Sequence, residues 1–130
     1  MRTMRFIIGV FAIGAALGSA SGCSRNNMAM ATGDVVPANA IGVHVQNDNF
    51  LDVDVYAVSE GLPTRLGTVT GNSSGNFVLD GSLASQDLRI VATPIGGNGR
   101  ASSGTVVASP GQTIDFRIGS ILRNSTVSIR

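Results

Sequence analysis

From Ile41 onward, apolar residues recur at every second position, and short clusters of Asn, Asp, Gly and Pro interrupt the runs. Val43 and Val45 flank His44; Val53, Val55 and Ala57 alternate with Asp52, Asp54 and Tyr56; Leu88, Ile90 and Ala92 alternate with Arg89, Val91 and Thr93. Ile114, Phe116 and Ile118 alternate with Thr113, Asp115 and Arg117. Phe77 and Leu79 enclose Val78, Leu66 and Thr68 precede Val69, and Val127 and Ile129 end the chain between polar neighbours. A period of two sends successive side chains to opposite faces of an extended chain, and no stretch here shows the 3.6-residue period of a helix. The interruptions are Asn47-Asp48-Asn49, Glu60-Gly61, Gly71 to Gly75, Asp80-Gly81, Gly96-Gly97-Asn98-Gly99 and Pro110-Gly111. Asn, Asp and Gly tolerate positive φ and Pro presets a turn, so each cluster is a place where the chain reverses.

About seven or eight short strands in roughly 90 residues predict an all-β fold, a small antiparallel β-sandwich of immunoglobulin-like architecture over residues 41–130. A small barrel is the alternative. The composition agrees: there are 17 glycines, no Trp, and only 13% charged residues, about half the share in an average soluble domain. The core must therefore come from Val, Ile and Leu with Phe77 and Phe116.

The first 40 residues read differently. Met1 to Arg5 carries two arginines, Phe6 to Leu17 is almost purely apolar, and Gly18 to Gly22 is small. These are the three zones of a secretory signal. Ala20-Ser21-Gly22-Cys23 resembles the lipobox of bacterial lipoproteins, with Ala20 where that family usually has Leu. The resemblance implies cleavage before Cys23, a diacylglycerol on its thiol, and a mature protein held to a membrane by two or more acyl chains, enough for a stable anchor. Cys23 is the one cysteine, so an internal disulfide is excluded. The rival expectation is an uncleaved anchor helix, but Phe6 to Gly22 would span roughly 25 Å against a hydrocarbon core of about 30 Å. Residues 23–40 are expected to form a flexible tether. Ser24, in place of the Asp that commonly retains lipoproteins at the inner membrane, favours the outer one.

Val43-His-Val-Gln-Asn-Asp-Asn-Phe-Leu-Asp-Val-Asp-Val-Tyr56 resembles the opening strands of small bacterial surface domains of the DUF4397 type. The resemblance implies a strand, an Asn-rich turn and a second strand in an immunoglobulin-like sandwich at a cell surface, and no chemistry.

Few residues offer chemistry. His44 is the sole histidine, which excludes a histidine metal cluster; it is expected to face solvent beside a carboxylate, and no nucleophile elbow accompanies it. Asp48, Asp52 and Asp54 form the one acidic cluster and the candidate calcium site, although their spacing does not match an EF-hand loop. Gly96-Gly-Asn-Gly99 leads into no helix and is read as a hairpin turn rather than a phosphate cradle. Removing Arg2 and Arg5 with residues 1–22 leaves seven arginines against eight Asp and Glu, a net charge near −1, which gives no basic footprint for nucleic acid. Arg117 and Arg123 are the candidate interaction residues, because Arg combines planar stacking with bidentate hydrogen bonds. The expected function is a non-enzymatic, cofactor-free structural or protein-interaction module at the envelope. Its narrower form is an extrinsic subunit of a membrane complex, as found on photosynthetic reaction-centre and antenna assemblies. The alternative is a small-ligand or carbohydrate-binding domain, with Tyr56 its only tyrosine platform.

Overall fold

The computed structural model describes residues 35–84 and 87–130, so Cys23, the apolar segment before it and most of the expected tether lie outside the described residues. Eight strands follow one another: β1 (Ala40–Asn47), β2 (Val53–Ser59), β3 (Leu62–Val69), β4 (Ser73–Asp80), β5 (Arg89–Pro94), β6 (Ala101–Ser102), β7 (Thr113–Ile118) and β8 (Thr126–Ile129). Two single 3₁₀ turns, Gly81–Leu83 and Leu122–Asn124, are the helical elements among the described residues. No helix among them is long and apolar enough to cross a membrane.

The strands form two four-stranded sheets, in the orders β4-β1-β7-β8 and β3-β2-β5-β6. Together they make the expected β-sandwich. Two features depart from the simplest form of that expectation. The pairing of β1 with β7 is parallel, while all other strand pairs are antiparallel. The order also differs from the immunoglobulin constant domain, in which the first, second, fifth and fourth strands share a sheet; sandwiches share architecture without sharing topology.

Alternation explains the core. Ile41, Val43 and Val45 from β1, Val53, Val55 and Ala57 from β2, Ile90 and Ala92 from β5, and Ile114, Phe116 and Ile118 from β7 are all buried between the sheets. Leu88, just before β5, is fully buried as well. Each fully buried Val, Leu, Ile or Phe contributes about 1.5–3 kcal/mol relative to its exposed state. In β3 the period breaks, because Leu66 and Val69 are both buried although three residues apart. The register between β2 and β3 shifts there: Val55 faces Gly67 and Tyr56 faces Arg65, leaving Leu66 as the extra residue of a bulge. A bulge re-aims the side chains that follow it by one position.

The two sides of the sandwich are unequal. At the β3/β4 side the sheets close tightly: a Cβ at Gly67 would sit 2.8 Å from the Phe77 ring, and one at Gly75 would sit 2.9 Å from Val69. At the opposite side β6 has only two residues facing the four of β8. Val127 and Ile129, expected from their alternation to join the core, are instead 37% and 40% exposed.

Strand directions also define two ends. The chain enters at Val35 and ends at Arg130 on one of them, where Thr113 and Arg130 exchange both backbone hydrogen bonds (2.9 and 3.0 Å). The β1–β2, β3–β4, β5–β6 and β7–β8 connections gather at the other end, because Asn47 lies opposite both Ser73 and Ile118, and Val53 opposite both Val69 and Pro94.

Candidate functional site at the loop-bearing end

Two buried polar side chains build this end. Asn47 is fully buried and Asn49 nearly so, and they are the buried polar residues among those described. The Asn47 amide donates to three backbone carbonyls, those of Leu51 (2.9 Å), Val69 (3.3 Å) and Thr70 (3.2 Å), and its oxygen accepts from the Asn49 N–H (3.0 Å). Asn49 repeats the pattern one turn on: its oxygen accepts from the Leu51 N–H (3.0 Å) and its amide donates to the Ser120 carbonyl (2.9 Å). The Asn72 N–H then donates to the Asn49 carbonyl (2.9 Å), and the Gly71 N–H to an Asp52 carboxylate oxygen (2.9 Å). A buried amide with all its partners met is a stiff joint, because breaking any bond leaves a polar group without water. The β1–β2 connection is thus fastened to the β3–β4 turn on one flank and to the β7–β8 connection on the other.

Phe50 sits between the two asparagine turns and is 77% exposed. Ile121 and Ile95, on the neighbouring connections, are 55% and 50% exposed. Phe50, Leu51, Ile121 and Leu122 line one shallow depression of about 390 Å³, with Arg100 and Arg123 at its margin. Those two arginines differ from the rest. Arg65, Arg89, Arg117 and Arg130 each pair with an aspartate, whereas Arg100 and Arg123 have no ion pair among the described residues. An exposed aromatic on a pre-ordered loop, beside aliphatic residues and uncommitted guanidinium groups, has the composition of an interface hot spot.

The sequence-predicted residues fall elsewhere in part. Arg117 is exposed, as its place in the alternation implies, but its Nε lies 2.5 Å from Asp48 and its charge is committed there. Arg117, near the end of β7, and Arg123, on the β7–β8 connection, both lie towards the loop-bearing end but line separate depressions. The negative charge of the acidic cluster is likewise partly met, since Asp48 pairs with Arg117, and on the same sheet Asp115 pairs with Arg130. The hydrogen bond from Arg117, and a second from Gln46, hold the Asp48 carboxyl below the usual carboxylate range.

Asp48, Asp52 and Asp54 do not converge on a cation position. Asp48 is held by Arg117 and Gln46, Asp52 caps the Gly71 N–H, and Asp54 accepts from Thr68 (2.6 Å) and Arg65 (2.7 Å). Those last two bonds lower the Asp54 pKa, and the Asp54 carboxylate raises that of Arg65. Among the described residues no three acidic, histidine or cysteine side chains are grouped to hold a metal ion. His44 lies on the outward side of β1, and its Nδ1 is 2.6 Å from the Asn76 side-chain oxygen, so its partner is an amide rather than a carboxylate. Tyr56 is half-buried in the middle of β2 and not on an end loop. Gly96 to Gly99 forms the β5–β6 hairpin turn, with positive φ at both outer glycines.

The sequence reading missed Phe50 and Ile121. The available signal was the spacing Asn47-x-Asn49-x-Leu51, in which each asparagine can fold its side chain onto the amide two residues ahead.

No family model matches the chain, and no curated protein does. Among solved structures it is similar to a protein from Eubacterium rectale determined by NMR, at 12% identity and a TM-score of 0.47, covering 70% of this chain and 88% of that one.

Proposed function

We propose that this chain is an exported lipoprotein, lipidated at Cys23, whose sandwich is a non-enzymatic interaction module for a protein partner at the membrane. The surface of the DUF4397-like domain that meets the partner is the loop-bearing end. The observation that carries this reading is the coincidence, on hydrogen-bonded loops, of exposed Phe50 and Ile121 with Arg100 and Arg123, which have no ion pair among the described residues. The described chain enters at the opposite end, so a tether of about 17 residues, with a reach on the order of 20–25 Å, leaves the loops free to meet a neighbour. Arg123 keeps its expected role and Arg100 joins it; Arg117 does not, because Asp48 already occupies it. In its narrower form the partner is an integral-membrane complex to which this chain is an extrinsic subunit.

The test has two arms. Intact mass of membrane-extracted protein should show loss of residues 1–22 and an added diacylglyceryl group; an unmodified Met1 terminus contradicts the lipoprotein reading. In mild detergent, the Arg100→Ala/Arg123→Ala double variant should release a co-purifying partner that the parent and Arg117→Ala retain. Equal retention by all three contradicts the loop-end reading.

A further inference from the structure

The sandwich has four sheet edges, and two of them are guarded. β3 carries Pro63, Arg65 and the bulge at Leu66, all devices that discourage a further strand. β6 is two residues long. β4 is the longer of the other two edges, but Gly75 in its interior offers no side chain for a cross-strand pair. β8 has none of these devices. Its sequence, Thr-Val-Ser-Ile, has no charge, no proline and no glycine, and its register with β7 is unbroken.

The register also says which backbone groups are free. Thr113 and Arg130 exchange both hydrogen bonds, so the bonded pairs recur at every second residue, and Ser128 and Thr126 are the next two. The N–H and C=O groups of Val127 and Ile129 therefore point away from β7, towards an edge that no other described strand pairs with. Their side chains are the ones that short β6 leaves partly exposed.

We infer that β8 pairs antiparallel with β8 of a second copy of this chain, with the two-fold axis at Ser128. In that register Val127 bonds Ile129 of the second copy and Ile129 bonds its Val127, which uses all four free groups on each strand. The apolar side chains meet as Val–Ile cross-strand pairs on the side that β6 leaves open. On the outer face Arg130 comes opposite Thr126 and four positions from its own copy, and Arg130 is already neutralised by Asp115. No like charges are opposed, so the strand is complementary to itself. A four-residue edge buries far less than the roughly 800 Å² per partner of a standard interface. The pair is accordingly weak in dilute solution, and confinement of both copies to one membrane would raise its occupancy.

The register makes a sharp test. Two residues at the axis form a non-bonded pair with Cα atoms about 4.5 Å apart, within disulfide range, whereas a residue two positions away is separated from its copy by roughly 13 Å. Full-length chain carrying Cys23→Ser and Ser128→Cys should form, under mild oxidation at high concentration, a disulfide dimer at least tenfold more abundant than Cys23→Ser with Thr126→Cys. Adding Val127→Lys should reduce the Ser128→Cys yield to the Thr126→Cys level while far-ultraviolet circular dichroism stays unchanged. Equal yields at positions 126 and 128, or no dimer from either, overturn the inference.

Discussion

The two ends of the sandwich both expose large apolar side chains, and among the described residues only one of them ties its connections together through buried side-chain amides. Where the chain enters and leaves, Val35, Leu62 and Val107 are 83%, 73% and 66% exposed, as bare as Phe50 at the other end. Arg89 and Arg130 at that end are each paired with an aspartate. At the loop-bearing end, two buried asparagines tie three connections together beneath Phe50, and Arg100 and Arg123 stay uncommitted. Isolated exposed apolar residues are ordinary on protein surfaces. Pre-ordered ones beside free guanidinium groups are less so, because rigidity lowers the entropy lost when a partner binds.

That contrast predicts the largest effect at Asn47. Asn47→Ala removes the donor to three backbone carbonyls and the acceptor for the Asn49 N–H, all at a site closed to water. The expected cost is about 2–4 kcal/mol in urea or thermal unfolding. Leu62→Ala at the other end should change stability by less than about 0.5 kcal/mol. Comparable losses from both would erase the distinction between the ends.

Glycines sharpen it. Gly71 approaches the Phe50 carbonyl so closely that a Cβ would collide with backbone, whereas Gly61, at φ +79°, has nothing within 4 Å of its missing Cβ. Gly71→Ala should cost about 1–3 kcal/mol and displace the Phe50 loop, seen as amide chemical-shift changes across residues 48–52. Gly61→Ala should cost only its backbone strain, on the order of 1 kcal/mol, with changes confined to the β2–β3 hairpin.

A smaller effect comes from acid. The carboxyls of Asp48, Asp54 and Asp80 are held below their ordinary pKa, chiefly by hydrogen bonds from Arg117, Thr68 and Ser82. A carboxyl depressed in the folded state adds stability above its unfolded pKa, near 4, and that stability is lost as pH falls through the folded value. The melting temperature should therefore be flat from pH 7 to about 5 and fall below pH 4. Asp54→Asn should melt lower at pH 7 and lose less on acidification, because one of the linked protons is gone. An unchanged pH dependence in that variant would remove Asp54 from the linkage.

The strands with strict alternation were legible in the sequence. β2, β5 and β7 bury the residues that alternation selects, and the clusters at Glu60-Gly61, Gly96 to Gly99 and Pro110-Gly111 fall between strands, because a period of two and a positive-φ residue are local signals; Ser73 to Gly75, read as part of a turn, already belong to β4. What was not legible depends on a partner elsewhere in the fold. Leu66 and Val69 break period because of the β2 register. Val127 and Ile129 alternate correctly but lie across from a strand of two residues, so they stay partly exposed. The β1–β7 pairing is parallel because six reversals of the chain separate the two strands, which no local pattern records. At the site, Asn47 and Asn49 read as exposed turn formers, since an amide's burial is decided by carbonyls 22 and 71 residues away. Arg117 and Arg123 are equivalent in the sequence, and only the fold brings Asp48, 69 residues away, beside the first.

The most direct measurement of the central claim is photocrosslinking in the cells that make the protein. A photoreactive phenylalanine analogue is placed singly at Phe50, Ile121, Leu62 or Val107 in the full-length chain. The account predicts that positions 50 and 121 capture the same protein, and that positions 62 and 107 capture it at less than about a tenth of that yield. Capture of that protein mainly from positions 62 and 107, or equally from both ends, would contradict the assignment of the working surface to the loop-bearing end.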